Sequence, residues 1–181
     1  MKQDHLTQLK QPTKENRIEK RERLRLMVLT ALLTAIVYIL TAYLHIPVGR
    51  GYVHLGDGVL YLAACVLPLP HGIFVGSVGA ALADCLSGFH LWAPASAIIK
   101  ALTVLCFTRK SKKLLCTRNI LALPLAALLC VGGYYIYEAL LYGNFLSPLA
   151  SIPGNLIQSL CSSALFLILS PVWNSRINKG L

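Results

Sequence analysis

Charge is scarce in this sequence. Only 13% of its 181 residues are charged, seven of them acidic, while 56% are hydrophobic. A soluble domain of this length needs more charge than that to cover its surface. Local signatures of several chemistries are missing too. Six cysteines form no CxxC pair, which argues against a disulfide framework or a zinc site. No GxxxxGK[ST] is present, so ATP hydrolysis through a P-loop is excluded, and neither GxSxG nor HExxH supports a membrane hydrolase. His45, His54, His71 and His90 lack metal-ligand spacing. No metal and no cofactor are expected.

What the chain has is long apolar runs bounded by turns, with a mean hydropathy of +0.63. Such a chain reads as an integral membrane protein with one helical bundle. Its formal charge of +10 is concentrated in a few places. Lys2, Lys10, Lys14, Arg17, Lys20, Arg21, Arg23 and Arg25 lie within residues 1–25. Five more basic residues lie between Arg109 and Arg118, and Arg176 and Lys179 close the chain. Only Arg50 and Lys100 lie elsewhere. Clustering in short loops is a topology signal, and no aromatic interleaving or nucleic-acid motif accompanies it. Nucleic acid is not an expected partner.

Breakers divide the apolar sequence. The first span is expected from about Leu24 to Ile46, followed by the loop "HIPVGRGYVHLGDG". "PLPHG" splits the stretch from Val59 to Leu86 into two short helices. "SGFHLWAP" makes a turn, and Pro94 opens a fourth helix that ends in "RKSKK". A fifth span is expected over about Ile120 to Tyr142 and a sixth over about Asn155 to Val172. The expectation is therefore an all-α, six-span bundle with both termini inside. Residues 1–23 form a basic cytoplasmic tail, 24–173 the membrane domain, and 174–181 a short second tail. The long polar lead argues for an uncleaved first span.

Within the spans and outer loops the acids are Asp57, Asp84 and Glu138. Charges in membrane spans are costly and face a bundle interior or a cavity. By this topology Asp84 lies near the outer end of helix 3. Lys100 lies roughly 9 Å inward of Pro94, and Glu138 roughly 6 Å below the end of helix 5. Helix 6 brings Asn155, Gln158 and Ser159 onto one face at i, i+3 and i+4. Tyr134, Tyr135, Tyr137 and Tyr142 crowd the outer end of helix 5, and Phe89 and Trp92 lie in the neighbouring turn. Three readings stay open for these groups. They bind a ligand; they lock the bundle, with Lys100 paired to Asp84 or Glu138; or Asp84, Glu138 and Lys100 serve as acid–base groups of a membrane enzyme. Gly72, Gly76 and Ala80 form a small-residue row on helix 3, and Ala31 and Ala35 an AxxxA pair on helix 1.

"HLGDGVLYLAA", "GSVGAALADCLSGFHLWAPASAIIK" and "IPGNLIQ" occur in order. Together they resemble the substrate-binding S components of energy-coupling factor (ECF) vitamin transporters, over roughly residues 24–173. The nearest likeness is to members for hydroxymethylpyrimidine or pyridoxine-like compounds, or for riboflavin. The resemblance implies a multi-pass protein of a prokaryotic plasma membrane, surrounded by lipid, that captures a vitamin-like molecule at its outer face. The resemblance implies a transporter subunit without catalytic residues. It further implies that ATP hydrolysis falls to two ATPase subunits acting through a transmembrane coupling subunit. Asp84, Trp92, Lys100, Tyr134, Glu138, Asn155 and Gln158 are the substrate-binding candidates. "PVGRGYVHLGD", with Arg50, Tyr52, His54 and Asp57, is the expected lid, and Ala31 and Ala35 the expected docking face. The family's metal-binding variants begin differently from "MKQDH".

Overall fold

The computed structural model describes residues 14–48, 51–111 and 113–177. It contains six helices: α1 (Lys14–Ala42), α2 (Gly56–Val66), α3 (Leu69–Leu86), α4 (Ala93–Cys106), α5 (Thr117–Tyr142) and α6 (Ile152–Ile177). A 3-10 turn, Ser147–Ser151, leads into α6. By length and composition four helical segments are fit to cross a membrane: Asn16–Ala42, Leu69–Leu86, Thr117–Tyr142 and Ser147–Trp173. Helices α2 and α4 are shorter, at 11 and 14 residues. Helix α1 starts within the stretch expected as tail; residues 1–13 and 178–181 lie outside the described residues.

One expectation needs correction. The first span stops at Ala42 rather than Ile46, and the stretch expected as an irregular loop is an antiparallel hairpin, β1 (His45–Val48) and β2 (Gly51–His54). Its register pairs His45 with His54, Ile46 with Val53 and Pro47 with Tyr52. The small residues that suggested a loop surround two short runs rich in β-branched and aromatic side chains, which favour a pleated ribbon. Arg50 lies outside the described residues.

Helix α2 is the axis of the bundle, with every residue from Gly56 to Cys65 buried. Leu67 ends it in extended backbone because it precedes Pro68, where a helical conformation would clash with the proline ring. On α3 the small residues permit close approach. A Cβ on Gly76 would stand 2.8 Å from Leu60 Cδ1 and 3.3 Å from the Lys100 carbonyl oxygen. On Gly79 it would meet Val37 and the Thr34 carbonyl of α1. Backbone packing of this kind replaces the hydrophobic drive that lipid does not provide. Gly88, at φ +84°, closes α3 in the left-handed conformation. Phe89 then donates its N–H to the Asp84 carbonyl at 2.8 Å, so the aromatic turn folds back over the end of the helix.

The opposite end of the bundle is organised by Asn119. Fully buried, it accepts from the Thr108 N–H at 2.8 Å and donates to the Thr108 and Leu114 carbonyls at 3.0 and 2.9 Å. These bonds fold the basic α4–α5 connection over a stack in which the Tyr61 and Phe107 rings lie 4.9 Å apart. Large apolar residues such as Leu121, Leu128, Leu140, Leu160 and Ile168 remain exposed. Water would not tolerate so extensive an apolar periphery, whereas hydrocarbon solvates it.

Candidate functional site

The polar residues converge at the hairpin end. Asp57 is in the first turn of α2, where the helix N-terminus favours a carboxylate. Its Oδ2 accepts from Lys100 Nζ at 2.7 Å and from Gln158 Nε2 at 3.0 Å. Gln158 Oε1 in turn accepts the His54 backbone N–H at 3.3 Å. One carboxylate thus ties together α2, α4, α6 and the hairpin. This corrects two expectations. Asp57 is a buried residue of α2 rather than of the loop before it, and it, not Asp84 or Glu138, is the partner of Lys100. A buried ammonium requires a counter-charge, and Asp57 in the first turn of α2 supplies it.

Above this pair lies a pocket. The hairpin contributes Tyr52, Val53 and His54; α3 and its turn contribute Asp84, Phe89 and Trp92. Ser96 comes from α4, Tyr134 and Glu138 from α5, and Ser151, Gly154, Asn155 and Gln158 from the last connection and α6. Six of the seven substrate-binding candidates therefore share one wall or another of a single cavity. The seventh, Lys100, lies beneath it, with its ammonium 5.5 Å from the Tyr134 ring centroid. Tyr52 and His54, expected in the lid, face the same space.

Hydrogen bonds fix most of the lining. Tyr52 donates its hydroxyl to Asp84 Oδ1. Burial and the nearby Asp84 carboxylate push that phenol well above its ordinary range, so it stays a donor. Trp92 Nε1 donates to Glu138 Oε1 at 3.2 Å, and the Ser96 and Tyr134 hydroxyls lie 2.6 Å apart. His54 Nδ1 accepts the Gly56 N–H at 3.2 Å, which makes this imidazole neutral. Burial pushes its pKa down to about 4. The mouth is aromatic: the Tyr52 ring lies 4.6 Å from Phe89 and 4.8 Å from His45. One buried polar atom in the lining has no hydrogen-bond partner among the described residues. Asp84 is 4% exposed, and its Oδ2 is a buried acceptor left unmatched.

The remaining tyrosines have other tasks. Tyr137 donates to the Leu91 carbonyl and Tyr135 to the Phe145 carbonyl, so both brace loops. Ala31 and Ala35 are exposed on α1, away from the pocket. The acid–base grouping of Asp84, Glu138 and Lys100 is not assembled, since each charge faces a different partner. Ser96 and Ser151 were not anticipated. Ser96 lies one turn before Lys100 on the same helix face, a spacing that could have revealed it; Ser151 carries no such signal.

A pocket with aromatic walls and mixed hydrogen-bonding groups, set into an apolar bundle, defines a multi-pass membrane protein that binds a small polar molecule. The chain belongs to the ECF-type riboflavin transporter S component family, whose model matches residues 22–174. Members are transport components of the plasma membrane, not enzymes, so the enzymatic reading is set aside. The fold is similar to that in "Structure and mechanism of the S component of a bacterial ECF transporter", with a TM-score of 0.69 and 20% identity. That match covers 86% of this chain and 98% of the other. Comparison with curated protein sequences gives no match.

Proposed function

We propose that this chain is the substrate-specificity subunit of an ECF importer and binds riboflavin, or a closely related flavin, in the pocket beneath the hairpin. The observation that carries this reading is the pocket's chemistry. Tyr52, Phe89, Trp92 and Tyr134 offer ring faces to a planar heterocycle, and Asp84, Glu138, Asn155 and Gln158 offer hydrogen-bonding edges. Family membership supports a flavin over the pyridoxine and hydroxymethylpyrimidine alternatives.

The pocket faces outward in this reading, and the bundle crosses the membrane six times with both termini inside. Arg17–Arg25 at the start of α1 and the Arg109–Arg118 connection gather at the end away from the hairpin, in agreement with the positive-inside rule. The hairpin with Tyr52 and His54 acts as lid. Transport requires a transmembrane coupling subunit, which docks at the exposed Ala31/Ala35 face, and two ATPase subunits that act through it. Titration of the purified protein with riboflavin tests the reading, followed by quenching of flavin fluorescence. Saturable one-to-one binding is expected; no binding of riboflavin would refute the assignment.

A further inference from the structure

We infer that the end of the bundle away from the hairpin holds a phospholipid with an anionic headgroup, its phosphate between Arg25 and Arg109 and an acyl chain along α1. Three parts of the chain meet there. Arg21, Glu22 and Arg25 come from the start of α1, Arg109 from the α4–α5 connection and Trp173 from the end of α6. They line two grooves that share Glu22, Arg25, Leu29 and Trp173, so the grooves are continuous. Neither contributes to the pocket under the hairpin, and the inference does not depend on a flavin.

Charge and hydrogen bonding point to the headgroup. Among the described residues the two grooves hold three arginines, Arg21, Arg25 and Arg109, against one carboxylate, Glu22. None of the three is ion-paired with Glu22, and all are exposed. The guanidinium fork matches two phosphate oxygens at once, and basic recesses between helix ends hold anionic headgroups. Trp173 adds an independent observation. Its Nε1–H is buried with no acceptor among the described residues, and Glu22 is the one side-chain acceptor in either lining. A phosphate oxygen supplies that acceptor once the long, exposed side chain of Arg25 swings aside to admit it.

Shape points to a lipid rather than a free anion. The larger groove, about 850 Å³, continues from Arg25 past Val28 to Leu32. Those seven residues advance roughly 10 Å along the helix axis. The wall there is apolar, with Leu24 61%, Val28 60% and Leu32 54% exposed. Inorganic phosphate would occupy the basic mouth alone and leave this length uncovered. A phospholipid covers both parts, with its charge at the arginines and its chain along the leucines.

The test uses the two tryptophans of the chain. W92F leaves Trp173 as the single fluorophore in the full-length protein, reconstituted in phosphatidylcholine membranes. Dibrominated phosphatidylglycerol and dibrominated phosphatidylcholine of equal chain length are then compared as quenchers. The anionic lipid is expected to be preferred at Trp173 by about fivefold or more. R25Q/R109Q should reduce that preference to below about twofold. R23Q/K113Q removes the same charge from exposed positions that line neither groove, and should keep the preference. Equal quenching by the two lipids overturns the inference. So does a preference that survives R25Q/R109Q, or one that falls equally in R23Q/K113Q and so reflects diffuse surface charge. Absence of quenching by either lipid also overturns it, since protein rather than lipid then covers the groove.

Discussion

Lys100 Nζ lies 2.7 Å from Asp57 Oδ2, and the two side chains are 2% and 4% exposed. The pair joins α2 to α4 beneath the pocket floor, and Gln158 adds α6 to the same oxygen.

Removing one member leaves the other charged and unpaired. K100M or D57N should therefore lower stability by about 3–5 kcal/mol, while the double variant K100M/D57L recovers most of that loss. Thermal unfolding of the purified variants measures both. Equal losses in the single and double variants would mean that the ion pair is not the cause.

Close approach of α3 to α4 makes a second prediction. G76V places side-chain carbon against Leu60 and the Lys100 carbonyl, and should cost about 1–3 kcal/mol through overpacking. G132A, where a Cβ meets nothing within 4 Å, is the matched control. The control should unfold near the wild-type temperature.

How far the sequence led can be judged from these same residues. Its apolar runs, breakers and basic clusters were sufficient for the helices and for the gathering of Asp84, Glu138, Asn155 and Gln158 at one end. The hairpin was not legible, because Pro47, Gly49 and Gly51 mark a turn without saying whether its flanks pair. The partner of Lys100 was hidden for a different reason. Helical spacing gives depth along an axis but not the rotation of one helix against another, and rotation decides between Asp57, Asp84 and Glu138. Asp57 also sits beside a glycine-rich loop, where a carboxylate reads as solvent-exposed. Its burial follows only from the central position of α2.

The hairpin should respond to acid. His54 is buried and neutral, with its pKa held at about 4 against an ordinary value near 6.5. A depressed pKa contributes stability that is full above about 6.5 and is lost as pH falls toward 4. Asp57, which favours the imidazolium, and Lys100 and His45, which oppose it, are the groups acting on that charge. Acidification from pH 7 to 4 should cost up to about 3 kcal/mol at this site, with H54Q showing a flatter profile. Tryptophan fluorescence or ligand affinity followed against pH checks it; identical profiles would exclude His54 as the sensor.

Binding and transport should separate at α1. A31L/A35L alters an exposed face remote from the pocket. The variant should bind riboflavin with wild-type affinity, while uptake in cells containing the coupling module falls by about tenfold or more, a coupling loss of about 1.4 kcal/mol. Normal uptake would remove this face from the docking surface.

The central claim is that the pocket under the hairpin holds a flavin. Native mass spectrometry of the protein, purified from cells grown with riboflavin, tests it most directly. The account predicts a one-to-one adduct of riboflavin mass that disappears in N155A/E138A while the variant remains folded. Protein recovered without a flavin adduct, or an adduct equally abundant in that variant, would contradict it.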